Sequence, residues 1–440
     1  MRILYIITKF ILKLTLWVYY PRKKIVNAPQ KRFTRTIFMC NHPSSFMDPL
    51  AVVGSQKPIT FFMTRSDVFK PFLKPILWAA HMLPIYRQQD GVDTKKKNEK
   101  VFDKCATILK NGRGLIVFSE GFTDNVFIRR LKPIKKGAVR IGFTALEKID
   151  WKKKIYLQAV GSSFADPNQL GSDLVISNGD PICLNDYRKD YEKDPNKIIH
   201  ELTLKMELQM RDQIVDVRNE KVAPFHENVM RITRKGMNAN DSDFNIPLLK
   251  RWNYAKRLAD WFNKVDVENN EELMKLKAKL EAYFNLQKEE GVEETPLYKV
   301  LSDQRKKNQD LFYLIALFPV MLLGLIHCYL PYRFIKNFVE KSFKRRVFWG
   351  SVKMLLGFVA ICIYNLPIIF LMKSLLGMDG ALAMLYYLTV IPLSGVIAYN
   401  WFKVKSKHQK MNVLEKSDVS KIAEMRNEIE NEIDRLIPVA

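Results

Sequence analysis

Cysteine is scarce. The 440 residues hold five (Cys40, Cys105, Cys183, Cys328 and Cys362), far apart and without a CxxC pair. That excludes a disulfide scaffold and a cysteine zinc site, and makes a reducing compartment the default. Acid is missing from two stretches: residues 1–40 carry nine basic side chains and no acidic one, and no Asp or Glu occurs from Asn125 to Leu146. Zinc-finger spacing, an RNA-recognition signature, a helix-turn-helix pattern and internal repeats are also absent, so the formal charge of +25 does not read as a nucleic-acid footprint. Apolar side chains are abundant: 48% of residues are hydrophobic, too many for a disordered basic tail.

The basic excess concentrates at the N-terminus and in the most apolar region, which reads as a face toward anionic membrane lipids. Residues 311–330 carry no formal charge and are long enough to cross a bilayer as a helix; 354–372 and 381–402 are two further apolar runs. Basic clusters precede the first run, separate it from the second and follow the third. Three simple spans would leave one cluster on the wrong side. The expectation is therefore a first run that is re-entrant or interfacial, kinked by Pro319 and ended by Pro331. The other two runs would form a hairpin turning near Gly377–Gly380. At the N-terminus, Lys9 and Lys13 break the apolar stretch and no small-residue cleavage site follows, unlike a signal peptide. Arg2, Lys9 and Lys13 share one helical side, the pattern of a helix lying in the lipid interface.

Between these regions, short apolar runs bounded by turn residues predict strands at Thr36–Cys40, Ile59–Met63, Leu115–Phe118 and Ile155–Val160. Helical patterns at 95–110, 136–147 and 195–217 alternate with them. The fold class is accordingly α/β, a largely parallel sheet covered by helices. The expected organisation is an N-terminal interfacial segment (1–35), an α/β domain (36–220), a helical connector (221–310), a membrane region (311–402) and a C-terminal amphipathic helix (403–440), docked or partner-binding.

Two constellations follow strands directly, where ligands commonly bind in α/β sheets. The first is Asn41-His42-Pro43-Ser44-Ser45-Phe46-Met47-Asp48. A carboxylate beside an imidazole fixes its tautomer and leaves the other nitrogen as a general base. The second is Phe118-Ser119-Glu120-Gly121, followed by the cations Arg129, Arg130, Lys132, Lys135, Lys136 and Arg140. Such a run near a helix start suits a phosphate.

Taken in order, Asn41-His42…Asp48, Leu83-Pro84-Ile85-Tyr86-Arg87, Phe118-Ser119-Glu120-Gly121 and Leu157-Gln158-Ala159-Val160-Gly161 resemble the four blocks of the glycerol-3-phosphate and 1-acylglycerol-3-phosphate acyltransferase family. The resemblance covers residues 36–220. It implies an acyltransferase-type fold and direct acyl transfer without a covalent enzyme intermediate. His42 would deprotonate a glycerol hydroxyl while Asp48 holds the imidazole. The acyl donor would be a thioester of coenzyme A or acyl carrier protein. Asn41, Arg87, Glu120, Gly121, Arg129, Arg130, Lys132 and Lys136 would bind a glycerol-phosphate acceptor. The family needs no metal or redox cofactor. With the basic clusters all on the cytoplasmic side, the expected location is the membrane, with the catalytic domain on its cytoplasmic face.

This chain departs from the family pattern in its spacing and in single residues. Five residues separate His42 from Asp48 where four are usual, a spacing that resembles the glycerol-3-phosphate/dihydroxyacetone-phosphate branch. Neither spacing puts both side chains on one helix face, so a turn ahead of the helix must bring them together. Ser119 stands for a common Pro, Phe122-Thr123 for a common Thr-Arg, and the fourth block lacks its proline. The competing readings are an aminolipid acyltransferase, with the same hydroxyl chemistry and no phosphate, and a non-catalytic lipid-binding homologue.

Overall fold

The computed structural model describes residues 2–28, 35–56, 59–71, 74–86 and 94–439. The chain forms two compact units. One comprises Met1–Ala223 with Pro247–Asn263, the other Pro224–Ile246 with Lys264–Ala440.

The first unit is a mixed sheet flanked by helices. Its strands are β1 (Arg22–Val26), β2 (Thr36–Cys40), β3 (Thr60–Arg65), β4 (Met82–Ile85), β5 (Gly114–Phe118), β6 (Tyr156–Phe164), β7 (Asp173–Asn178) and β8 (Ile182–Cys183), in the order β1-β7-β6-β2-β5-β3-β4, with β8 beside β6. At the centre, β2 runs parallel to both β5 and β6. Its residues are buried on both faces, which is why the sequence there is a continuous apolar run rather than an alternation. The sheet is less parallel than the sequence suggests: β7 and β8 both run antiparallel to β6. Strand β1 lies inside the stretch assigned to the N-terminal segment and pairs with β7. Three of its five residues are cationic, so it carries no apolar signal. It is held instead by Arg22, whose Nε donates to Asp173. The other Asp173 oxygen accepts from Arg251 Nη1 at 2.6 Å, and both residues of that pair are buried. Arg251 belongs to helix Leu248–Phe262, so part of the expected connector completes the sheet unit.

The helices of this unit include α1 (Arg2–Tyr19), α2 (Met47–Ser55), α3 (Lys74–Ala79), α4 (Thr94–Lys110), α5 (Gly137–Glu147), α6 (Arg188–Lys193) and α7 (Pro195–Asp212). Asp194 caps α7 by accepting from the Asn196 and Lys197 N–H groups, with Pro195 preset for the first turn. Helix α1 is seated on the domain by one face. Tyr5, Leu16, Tyr19 and Tyr20 are buried, Tyr5 OH meets Thr60, and Lys9 Nζ donates to Gln56 O at 2.6 Å. Leu16 packs so closely on α2 that a Cβ at Gly54 would stand 2.5 Å from its Cδ1. The opposite face of α1 presents Ile3, Ile6, Ile7, Phe10, Leu14 and Trp17, each at least half exposed.

The second unit is helical. Arg426, in the C-terminal helix Ser420–Leu436, is buried. It donates to Glu294 Oε1 at 2.9 Å and to Ile232 O at 3.0 Å, and Tyr283 OH donates to the other Glu294 oxygen at 2.5 Å. The amphipathic rhythm of the C-terminus thus docks a helix on its own unit. Three helices here are long and apolar enough to cross a membrane: Phe318–Ser342, Arg346–Leu376 and Gly380–Leu414. The first does not end at Pro331. A π-helical turn, Leu325–Tyr329, precedes the proline and the helix runs on to Ser342, because a widened turn relieves the clash that a proline ring makes with the carbonyl four residues back. Gly377, with φ at +61°, closes the second helix, and Asp379 caps the third through Leu382 N–H.

Candidate active site

The register of the sheet assembles the site. Cys40 pairs with Phe118 across the parallel β2–β5 ladder, so Asn41-His42 and Ser119-Glu120 leave the sheet side by side. Asp48 sits in the first turn of α2, fully buried. Its Oδ2 lies 2.9 Å from His42 Nδ1 and accepts Ser44 N–H at 2.9 Å; its Oδ1 accepts Ser44 Oγ–H at 2.5 Å. A carboxylate facing Nδ1 keeps the proton there and leaves Nε2 as the basic nitrogen. The His42 side chain is 19% exposed, enough to be reached. Its ring stacks on Phe118 at 4.5 Å.

The extra residue between His42 and Asp48 is absorbed in the turn. Ser45 takes φ +53°, a left-handed conformation that costs a non-glycine residue energy. Met47 N–H and Asp48 N–H then bond back to the Ser44 and Ser45 carbonyls at 3.2 and 3.3 Å. The turn brings His42 and Asp48 together although helix geometry alone does not.

Glu120 is buried and faces inward. Its Oε1 accepts the His42 backbone N–H at 2.6 Å, and Oε2 lies 3.2 Å from Lys132 Nζ. Burial pushes its pKa up, and the Lys132 charge and the His42 N–H pull against that. Glu120 therefore fixes the backbone that carries His42. Asn41 is engaged likewise: its Nδ2 donates to Ser162 O at 3.1 Å and its Oδ1 accepts Ser162 N–H at 2.8 Å, tying the turn to β6. Next to that tie, Gly161 is required by close approach, since a Cβ would stand 2.3 Å from Gln213 O.

The acid-free run is not a row of open cations. Arg129 is buried and its guanidinium donates to Phe164 O and Ala165 O. Arg130 pairs with Asp124 at 3.2 Å and with Glu220. Lys132 sits between Glu120 and Asp124. Arg87 lies outside the described residues. Lys136 is exposed at the start of α5, and Lys135 is exposed beside it. Lys135 is the residue that sequence reasoning passed over as one of six cations. Its backbone N–H donates to Ser119 O at 2.9 Å, and its side chain lies across Gly121, where a Cβ would meet Nζ at 2.7 Å. Gly121 also has φ +79°, so glycine is needed there on both counts.

Cys40 is adjacent in sequence but poorly suited to be a nucleophile: burial, with the Asp48 charge, pushes its thiol pKa well up. Among the described residues no three His, Cys, Asp or Glu side chains converge as metal ligands.

Residues 24–161, from β1 into β6, match the Acyltransferase family model. The chain is similar, at 15% identity and a TM-score of 0.30, to the 1-acyl-sn-glycerophosphate (LPA) acyltransferase PlsC from Thermotoga maritima, over 45% of this chain and 77% of that one. No curated protein matches the chain. The stretch that matches this family model holds His42, Asp48, Glu120 and Gly121.

Proposed function

We propose that the protein is a membrane-bound O-acyltransferase that moves a fatty acyl group from a thioester, of coenzyme A or acyl carrier protein, to a hydroxyl of glycerol-3-phosphate or 1-acylglycerol-3-phosphate. The observation that carries this reading is the His42–Asp48 pair with Nε2 left basic at the end of β2. In the reaction, the acceptor hydroxyl gives its proton to His42 Nε2 as its oxygen attacks the thioester carbonyl. Asp48 stabilises the imidazolium that forms. Collapse of the tetrahedral adduct breaks the carbon–sulfur bond, and the leaving thiolate takes the proton back. The ester and the free thiol account for every atom.

Lys135 is placed to meet the acceptor phosphate, because its exposed side chain lies across Gly121, next to the Glu120 that holds the His42 backbone. Such a point charge binds phosphate without needing a fork. The exposed apolar face of α1, with Lys13 exposed on the same helix and no acid before Asp48, is read as lying in an anionic bilayer surface. Water-soluble thioester donors then place the site on the cytoplasmic side. The internal pairing of Arg129, Arg130 and Lys132 favours one second reading, an acceptor without phosphate, as in an aminolipid pathway.

The test is a panel assay on membranes containing the protein. Labelled thioester is offered with glycerol-3-phosphate, 1-acylglycerol-3-phosphate and N-acyl amino acids, with His42→Ala as control. Transfer to a phosphate acceptor that disappears in His42→Ala supports the reading. Transfer only to the N-acyl amino acid overturns the acceptor, and full activity of His42→Ala overturns the mechanism.

A further inference from the structure

Each of the three membrane-candidate helices contains a proline: Pro331, Pro367 and Pro392. In the first and third, a π-helical turn lies just ahead of it, at Leu325–Tyr329 and Tyr386–Val390. A proline cannot donate to the carbonyl four residues back, and for Pro331 that carbonyl is His327's. Hydrocarbon supplies no water to satisfy it.

The second helix supplies the partner. Asn365 donates Nδ2 to His327 O at 2.9 Å and to Ile361 O, one turn back in its own helix, at 2.8 Å. The amide is thereby oriented with Oδ1 toward His327 Nδ1, at 2.6 Å, which settles the imidazole proton on Nδ1. The other nitrogen, Nε2, lies 2.9 Å from the Tyr386 hydroxyl of the third helix, which donates to it. His327 and Asn365 are both buried, with every side-chain polar atom engaged. Around this point the first and third helices approach backbone to backbone. A Cβ at Gly324 would stand 2.2 Å from Ser394 O, and one at Gly395 would stand 2.6 Å from Cys328 Sγ. Small residues at such a seam are how helices associate where no hydrophobic effect drives them together.

We propose that His327, Asn365 and Tyr386 form an intramembrane clasp, one residue from each helix, that pins the 311–330 run inside the hydrocarbon. Asn365 lies in the interior of the 28-residue helix Trp349–Leu376. At 1.5 Å per residue it is about 16 Å of helix from the nearer end, within a hydrocarbon core about 30 Å thick. His327, bonded to it on two sides, shares its depth. The clasp thus excludes a first run lying flat in the interface, and it explains a histidine in a segment that otherwise carries only apolar side chains and two tyrosines. It does not rest on the acyltransferase reading.

The depth is testable at Ile326, next to His327, which is 56% exposed on the protein surface, so that only lipid can shield it. Ile326→Cys in the full chain is reconstituted in lipid nanodiscs and treated with a membrane-impermeant maleimide. Labelling is read by peptide mass spectrometry, with the partly exposed Cys183 as the accessible control. We expect residue 326 to label at least about tenfold more slowly than Cys183; equal rates would place the run at the interface and overturn the proposal. Adding Asn365→Leu should raise labelling at 326 about tenfold. Tyr386→Phe, which keeps the ring and cannot misfold the helix by bulk, should raise it about threefold. Labelling that stays at the starting rate in both variants would overturn the clasp.

Discussion

Replacing Asp48 by asparagine separates the charge of that residue from its geometry. Oδ2 faces two N–H donors, His42 Nδ1–H and Ser44 N–H, so only an oxygen fits there and the amide has one acceptable orientation. Its NH2 then falls at Oδ1, where the Ser44 hydroxyl turns from donor to acceptor. The ring should keep its place and its tautomer, and what is lost is the negative charge opposite the imidazolium. With the charge centres about 4 Å apart and an effective dielectric constant near 20, that attraction is worth about 4 kcal/mol. The amide dipole returns a part, so kcat should fall about 100- to 1,000-fold with KM little changed. Asp48→Ala, which also frees the ring to turn, should lose about 10,000-fold. The assay is thiol release from the acyl donor. Asp48→Asn within about threefold of wild type would refute the charge role.

Other predictions follow from single contacts. Lys135→Met should raise KM for a phosphate-bearing acceptor about tenfold and leave kcat nearly unchanged, as for a group that binds ground and transition states alike; steady-state kinetics with two acceptors checks it. Asp173→Ala should leave the buried Arg251 charge without its carboxylate, costing about 3–5 kcal/mol and lowering Tm by roughly 10 °C or more in a thermal melt. His81, buried between the Tyr5 and Phe61 rings, is lowered by burial, with the nearby Arg113 charge, to a pKa of about 4. The unfolded chain titrates near 6.5 and takes up the proton first. Stability is therefore whole above pH 6.5, falls as pH drops toward 4 and levels off below, by at most about 3 kcal/mol. His81→Asn, which tolerates the φ of +60° there, should flatten that slope in urea melts.

The turn that joins His42 to Asp48 was legible because its parts are local. A buried parallel strand shows as an unbroken apolar run, and His42 and Asp48 follow it within one turn. The roles of the neighbours were not legible, because each depends on a residue far away in the chain. Glu120 carries the acidic side chain of a substrate-binding block, yet its oxygens are taken by the His42 backbone and Lys132. Arg129 and Arg130 stand in an acid-free run, but Phe164, Ala165 and Glu220 arrive to occupy them. Strand β1 was hidden for a related reason: its Arg22 is compensated by Asp173, 151 residues on. Lys135 could have been singled out, since a glycine with a cation 14 residues later is visible in the sequence; which of six cations crosses that glycine is decided only by the loop. Pro331 misled as a helix end because the widened turn that accommodates it leaves no mark in the residue pattern.

The contact between Leu16 and Gly54 bears on how the enzyme could be handled. An N-terminal helix with an exposed apolar face is ordinarily the first thing removed to obtain a water-soluble fragment. Here the same helix is a wall of the core beneath α2, and α2 carries Asp48. Removing residues 1–20 would strip Leu16 from Gly54 of α2 and Tyr5 from Thr60 and His81, so a shortened protein should lose any activity that depends on Asp48, whether or not a membrane is supplied. Solubility has to be sought on the outward stripe, at Ile3, Phe10 and Trp17, with the inward face left as it is.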